Sequence, residues 1–448
     1  MSYEKEYQQK LVSAAEAVKV VKSGYLVDYG FFNGKPVVVD QALADRADEL
    51  ENVLVYTAVT MPPVPAVSQK PGTFTYHDLQ YSKLTRLLNL ENKDIYYLPV
   101  LYHLIPHALR NGGGPDRNVG IFRVCPMDKH GWFNFGPQNS ESLAKLERDE
   151  IVILEVCKNM PVCLGGAEEA VHISQVDYIV EAPDDHAPFG APPAPPSDDE
   201  KKIATLLMDH IRDGSVIQLG IGGLPNAVGQ MIAESDLKDL GGHTEMFVDA
   251  YVDMIEAGRM TGNRKAFDRN RVAYTFAIGS SRMYEFMDRN PAIASYPVTY
   301  INDPRVISRH DNFVSICNAL EVDLYSQINA ESLGFHQISG NGGMWDFVLG
   351  SQWSKNGKSF ICLTSTHKDK QGNLHSRIVP HFKPGSITTI PRQMVDYLVT
   401  EYGVVHMPIL ATWQRAEAII NLAHPDFRDD LIKAAETQGI WRQSNKKI

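Results

Sequence analysis

The sequence predicts an α/β protein made of two similar open domains, each built on a largely parallel sheet. Three observations predict it. Helical patterns alternate with short runs rich in Val, Ile and Leu, such as Asp149-Glu-Ile-Val-Ile-Leu-Glu155 and Lys358-Ser-Phe-Ile-Cys-Leu363, and that alternation requires crossover connections between parallel strands. Blocks of sequence recur in the same order at a period of about 190–220 residues, far beyond the ~20–50 of solenoid or propeller repeats. A proline-rich stretch, Ala182-Pro-Asp-Asp-His-Ala-Pro-Phe-Gly-Ala-Pro-Pro-Ala-Pro-Pro-Ser197, separates the copies. Its prolines lack amide donors and favour extended backbone, so it joins neither a helix nor a sheet interior. The division expected is residues 1–181, a linker over 182–197, and residues 198–448, within the two or three domains that 448 residues allow.

Each half opens in the same way. Ser13-Ala-Ala-Glu16 and Ser197-Asp-Asp-Glu200 read as capping boxes, in which the Ser side chain accepts from the third helical amide and the Glu reaches back to the cap. The helices they open stop at Ser23-Gly24 and Asp213-Gly214, and short apolar strands follow over 25–30 and 215–220. Gly30-Phe-Phe-Asn-Gly-Lys-Pro36 then aligns, with one gap, on Gly220-Ile-Gly-Gly-Leu-Pro225. Further on, 99–106 matches 297–304, 128–134 matches 323–329 and 176–180 matches 395–399. Colinear matches of this kind argue for internal duplication. Asp128 and Asp323 hold equivalent positions and read as structural. Open parallel sheets bind ligands at the carboxyl ends of their strands, and a duplicated pair can close a cleft, so the active site is expected between the halves.

Composition narrows the function. Lys and Arg total 43 against 54 Asp and Glu, a net charge of -11, which disfavours nucleic acid and anionic membrane as partners. The five cysteines, Cys125, Cys157, Cys163, Cys317 and Cys362, include no C-x-x-C pair, so neither a disulfide framework nor a zinc site is expected. The polar start Met1-Ser-Tyr-Glu-Lys-Glu-Tyr lacks the apolar core of a signal peptide, and no uncharged apolar run approaches the ~18 residues that cross a bilayer. A cytoplasmic protein with reduced thiols is the expectation.

Four segments carry candidate chemistry. Gly220-Ile-Gly-Gly-Leu-Pro-Asn-Ala-Val-Gly229 follows a strand and opens a helix, with glycines that allow close backbone approach and amides that attract an anion or a carbonyl oxygen. Its spacing departs from the dinucleotide fingerprint G-x-G-x-x-G; a tight turn without ligand is the plain alternative. The first half fills the middle of the corresponding loop with Phe31 and Phe32. His243-Thr-Glu-Met-Phe-Val-Asp-Ala-Tyr-Val-Asp253 places Glu245 at the start of an apolar strand pattern, where a carboxylate can attack an activated carbonyl. An acidic residue at a sheet edge is the alternative there. The ungapped repeat sets Asn52 opposite Glu245, so one half alone carries the carboxylate. Ser339-Gly-Asn-Gly-Gly343 is a second glycine cluster, and Thr366-His-Lys-Asp-Lys-Gln-Gly-Asn373 reads as a hairpin tip bearing Lys368 and Lys370, which suit a phosphorylated ligand or plain solvent. No H-E-x-x-H, G-x-S-x-G or P-loop pattern occurs, leaving metal, serine-hydrolase and nucleoside-triphosphate chemistry without support.

At these residues the chain resembles the acetyl-CoA hydrolase/transferase group of the family I coenzyme A transferases. Within it, the resemblance points to butyryl-CoA:acetate and 4-hydroxybutyrate CoA-transferases. The matching stretches are 218–229, His243-Thr-Glu-Met246, Asp323-Leu-Tyr-Ser-Gln-Ile-Asn-Ala-Glu-Ser332, Gln337-Ile-Ser-Gly-Asn-Gly-Gly343, Thr400-Glu-Tyr-Gly403, Trp413-Gln-Arg-Ala-Glu417 and 423–429. The resemblance implies a NagB/RpiA-like CoA-transferase fold, a homodimer or tetramer, and Glu245 as a nucleophile that carries CoA as a glutamyl thioester. It implies acyl-CoA and carboxylate substrates, coenzyme A as co-substrate, no tightly bound cofactor and no metal. It places Gly220, Ile221, Gly222, Gly223, Leu224, Leu320 (through its backbone), Gly343 and Lys370 at CoA, and Asn302 and Glu401 by the substrate carboxylate. Asn341, Met344 and Trp345 bring more bulk than relatives carry there, and are expected to reshape the acyl pocket. Two rivals remain open: an acyl-CoA hydrolase using the same glutamate, and a metabolite-binding protein or dinucleotide reductase on the same layers.

Overall fold

The computed structural model describes residues 2–91, 93–191 and 193–441. Pro192 of the expected linker and residues 442–448 of the second expected domain lie outside the described residues. The first sheet holds β1 (Leu26–Tyr29), β2 (Val53–Thr57), β3 (Phe74–Asp78), β4 (Ile95–Tyr97), β5 (Val119–Val124), β6 (Ile151–Val156) and β7 (Tyr178–Glu181). Its seven strands lie in the order β4-β3-β2-β1-β5-β6-β7, all parallel. The second holds β8 (Val216–Leu219), β9 (Gly241–Phe247), β10 (Val272–Ala277), β11 (Ile293–Ser295), β12 (Phe313–Asn318), β13 (Lys358–Cys362), β14 (Tyr397–Thr400) and β15 (Gly403–His406). Its order is β11-β10-β9-β8-β12-β13-β14-β15, the first sheet's order repeated with an antiparallel edge strand added. The topology therefore carries the duplication read from the sequence.

Parallel strands are covered on both faces and so read as near-continuous apolar runs. In β5, Val119 and Ile121 join one buried cluster with Val27, Val55 and Ile153, while Phe122 and Val124 join another with Leu154, Val156 and Phe133. A separate core gathers Cys317, Val348, Ile361, Leu398 and Ile419 around β12, β13 and β14. All five cysteines are buried thiols outside any disulfide. Among the described residues no helix is long and apolar enough to cross a membrane, and no group of three or more His, Cys, Asp and Glu could hold a metal.

The capping boxes differ in what they start. Ser197 and Glu200 close the full reciprocal box at the head of the helix Asp198–Met208. Ser13 accepts from the Glu16 amide, but its helix, Ala14–Ala17, passes into a 3₁₀ turn at Val18–Val20. Three valines in four residues, stiff at χ1, shorten it, and the Glu16 carboxylate pairs with Lys19 instead of the cap. Asp128 and Asp323 serve the same purpose in each copy. The Oδ1 of Asp128 accepts from the amides of His130 and Trp132, and that of Asp323 from those of Tyr325 and Gln327.

By compactness the chain forms two units: Met1–Pro192 with Thr244–Val248 and Arg271–Asp303, and Pro193–His243 with Asp249–Asn270 and Pro304–Ile448. The segments bearing Glu245 and Asn302 thus belong to the first unit, although they lie in the second half of the sequence.

Candidate active site

The strand carrying Glu245 is shorter than its apolar pattern suggests. β9 ends at Phe247, and Asp249–Glu256 is a helix, because Ala250, Tyr251, Val252 and Met254 bury one face of it. Gly229 on the helix Gly223–Glu234 admits that face: a Cβ there would lie 2.5 Å from the Cβ of Ala250. Glu245 therefore sits near the carboxyl end of its strand, not at the start, where parallel sheets present reactive groups. The repeat register also changes. Leu26 pairs with Leu54 in the first sheet, as Val216 pairs with Gly241 in the second. Counting along each strand from there sets Ala58, not Asn52, opposite Glu245. One copy still carries the carboxylate.

In the first unit Glu245 is half-buried, and its Oε2 accepts from the Nδ2 of buried Asn302 at 2.6 Å. Asn302 ends the short helical turn Val298–Ile301, whose first amide donates to the Ser140 carbonyl at 2.9 Å. A charge-assisted bond of this length fixes which way the carboxylate faces. Met246, next in the chain, packs against an apolar cluster of Phe31, Phe32, Ala58, Tyr102, Phe276, Ile278 and Val298, with Val59 and Met61 at its edge. Phe32 stacks on Phe276 with ring centroids 4.5 Å apart, and Phe31 on Tyr102 at 5.6 Å. The two phenylalanines that fill the middle of the first copy's loop thus form a wall beside the glutamate's strand.

Two polar groups that sequence reasoning missed hold this wall. Buried Asp78, at the end of β3, accepts from the Val59 and Thr60 amides, from the Thr60 hydroxyl and from the Thr85 hydroxyl at 2.7 Å. Burial pushes its carboxyl above the ordinary range, and these bonds oppose the shift. Buried Lys35 donates to the carbonyls of Met61, at 2.7 Å, and Pro63, and burial lowers its ammonium to about 8. Lys35 stands in the repeated loop 30–36, but its partners lie 26 and 28 positions on, and Val59, Thr60 and Thr85 lie 7 to 19 positions from Asp78, so local pattern gives neither residue a signal.

In the second unit the glycine loop opens its helix as expected, with Gly222 at φ 111. A Cβ on Gly220 or Gly222 would meet nothing within 4 Å, whereas one on Gly223 would strike the Glu200 carboxylate at 2.5 Å. That carboxylate also accepts the Leu224 amide at 3.2 Å. The capping Glu200 therefore occupies the helix entrance, and the Leu224 amide is engaged by it. Ile221 is exposed. Leu320 has both backbone groups in use: its amide donates to Asn329 and its carbonyl accepts from Arg377 at 3.2 Å. Gly343 caps the helix Met344–Trp353, but the expected bulk is absorbed by packing, since Met344 is buried in the second unit's core and Trp345 lies against it.

The hairpin forms as read, Thr366–Lys368 against Leu374–Ser376, with Lys370 in its turn. Lys368 lines a cavity of about 550 Å³ with Lys202, Thr364, His367, Glu401 and His424. Glu401 accepts from the amide and hydroxyl of Ser365. Lys202 and His424, far away in sequence, are additions that only folding reveals.

Comparison with known proteins accords with this architecture. The acetyl-CoA hydrolase/transferase N-terminal domain model matches residues 1–189 and the C-terminal domain model residues 279–435. The butyryl-CoA:acetate CoA-transferase of Anaerostipes caccae is 51% identical over 449 residues, the full length of both chains. A probable butyrate:acetyl-CoA coenzyme A-transferase of Syntrophomonas wolfei is 46% identical, covering 98% of each. The crystal structure of RipA from Yersinia pestis superposes with a TM-score of 0.89 at 34% identity, over 98% of this chain and all of that one. Similarity that runs from end to end, through both sheets and the strand of Glu245, places the chain in the acetyl-CoA hydrolase/transferase family.

Proposed function

We propose that this enzyme transfers CoA between butyryl-CoA and acetate, with Glu245 as the carrier. The observation that carries the reading is the Glu245 carboxylate at the end of a parallel strand, pinned by Asn302 at 2.6 Å beside an apolar wall. The full-length likeness to a butyryl-CoA:acetate CoA-transferase supports the substrate pair.

The Glu245 carboxylate attacks the thioester carbonyl of butyryl-CoA; the C–S bond breaks, CoA thiolate leaves, and a mixed anhydride remains. The thiolate returns to the glutamyl carbonyl, butyrate departs, and a glutamyl-CoA thioester forms. Acetate attacks that thioester, expelling CoA thiolate and leaving an acetyl-glutamyl anhydride. Thiolate attack on the acetyl carbonyl releases acetyl-CoA and regenerates Glu245. No net proton moves, so the side chains need only orient carboxylates and exclude water. Asn302 turns the Glu245 carboxylate, and Val59 and Met61, partly exposed and backed by buried Phe31 and Phe32, are the candidates to meet the alkyl chain. For CoA itself the candidates are the backbone of 220–223, Gly343 and Lys370, with Lys368 beside them in the hairpin.

Incubation with butyryl-CoA, followed by borohydride reduction and mapping by mass spectrometry, is expected to find one modified residue, Glu245. Modification elsewhere, or none, overturns the assignment. In the same assay acetate is expected to raise the loss of butyryl-CoA with acetyl-CoA appearing in equal amount; free CoA accumulating instead identifies a hydrolase.

A further inference from the structure

The proline-rich segment is not a free tether along its whole length. Its Ala187–Gly190 portion is held in the first unit by specific bonds. The Phe189 amide donates to the Oδ1 of buried Asn33, the Nδ2 of Asn33 donates to the Tyr284 hydroxyl at 3.0 Å, and that hydroxyl donates to the Phe189 carbonyl at 2.7 Å. The three residues close a ring of hydrogen bonds. Arg123, itself buried, donates to the Ala187 carbonyl at 3.0 Å.

The Phe189 ring is half-buried and lies between two cations. Its centroid is 5.2 Å from Lys35 Nζ and 5.0 Å from Arg123 Cζ. Cations over an aromatic face are attracted by the ring quadrupole, more strongly when desolvated. Lys35 is the residue whose ammonium holds the Met61 and Pro63 carbonyls. Asn33 follows Phe31 and Phe32 directly in the chain. Phe189 therefore touches, through one neighbour each, both loops that form the apolar wall next to Met246.

We infer that Phe189 is a positioning residue for the acyl side of the reaction, bracing Phe31–Phe32 through Asn33 and Met61 through Lys35. The inference rests on the transfer activity proposed above. It assigns a task to a segment that composition marks as a linker, and it concerns shape: with the brace released, loops 30–37 and 58–63 widen the wall without any change in the nucleophile.

Two measurements test it on the full chain, using Phe189→Ala, Phe189→Tyr and Tyr284→Phe. The first compares kcat/KM for propionyl-, butyryl- and hexanoyl-CoA with acetate as acceptor. Phe189→Ala is expected to shift the butyryl-to-hexanoyl ratio about five- to tenfold toward the longer chain, mainly through KM, which matches the loss of one or two cation–ring contacts. Phe189→Tyr keeps the ring face and should restore the ratio. Tyr284→Phe breaks the hydrogen-bond ring while leaving the ring between its cations, and should move the ratio in the same direction by less. The second follows amide hydrogen exchange without substrate, where peptides covering 58–63 are expected to exchange faster in Phe189→Ala than in wild type. A uniform fall in kcat/KM for all three esters, or unchanged exchange at 58–63, overturns the brace. Should wild type show no CoA exchange, the transfer reading fails on its own, and the exchange measurement still decides whether Phe189 braces the loop.

Discussion

Asn302 Nδ2 sits 2.6 Å from one oxygen of Glu245, and a hydrogen bond to a charged group contributes about 1.5–3 kcal/mol. Asn302→Ala is accordingly expected to lower kcat/KM by about 10–100-fold while leaving Glu245 able to be trapped; an unchanged kcat/KM in a steady-state assay would sink that role. The strand pattern around Glu245 left a nucleophile and a plain sheet-edge acid both open, and the resemblance of His243-Thr-Glu-Met246 to the family's nucleophile segment singled it out. Its repeat partner was not. The offset between copies is 190 residues at Leu26 and Val216 but 187 at Leu54 and Gly241. The connection between those strands is three residues longer in the first copy, although its helix Val38–Ala44 is shorter than Gly223–Glu234, and an ungapped alignment cannot register that. Lys35 was hidden for a related reason, because its partners are the backbone carbonyls of Met61 and Pro63, and Asp78 because the Val59 and Thr60 amides and two threonine hydroxyls are brought to it only by folding.

Among the elements, the crossing of helices Gly223–Glu234 and Asp249–Glu256 depends on Gly229, where a Cβ would come within 2.5 Å of Ala250. Gly229→Ala is expected to cost about 1–3 kcal/mol, the usual range for overpacking, and to lower the thermal midpoint; a stability equal to wild type would show that the helices shift freely. Within the first sheet, the Asp149 carboxyl faces Asp28, whose own oxygen pairs with Arg117. Burial first, and then the Asp28 charge, push Asp149 well above the usual carboxylate range. The folded state keeps a proton that the unfolded chain releases, so this group supports folding at low pH and that support is lost as pH rises beyond the unfolded range near 4. Asp149→Asn, neutral at every pH, should therefore gain stability relative to wild type as pH rises above about 4, and a difference flat in pH would refute the retained proton. Strands and the Thr366–Ser376 hairpin were readable from alternation and turn residues. The early helix was not, because valine stiffness overrode a sound N-cap, and Asp249–Glu256 was mistaken for strand because a short apolar run fits both periods.

At the scale of the whole molecule, the same strand order is laid down twice, while the carboxylate proposed as carrier, Glu245, occurs in one copy and Ala58 stands at its place in the other. Labelling with radioactive CoA under turnover should approach one equivalent per chain, and two equivalents would mean that the first copy has a carrier of its own. The repeat, the acidic charge and the two-sheet architecture were all visible in the residues. What composition hid was the character of the proline-rich segment, since prolines report missing donors but not the bonds that the intervening Phe189 and Ala187 make.

Val59, at the rim of the apolar wall, is a β-branched residue at φ 47, held there by its amide's bonds to Asp78 and Gln80. A left-handed backbone disfavours such a residue by roughly 1–2 kcal/mol, and glycine would remove that cost. The isopropyl group would go with it, and the neighbours of Met61 would lose a face to rest on. A laboratory population selected for heat resistance alone would drift toward glycine at this position, and its members would become less choosy about fatty-acid length before they lost any turnover.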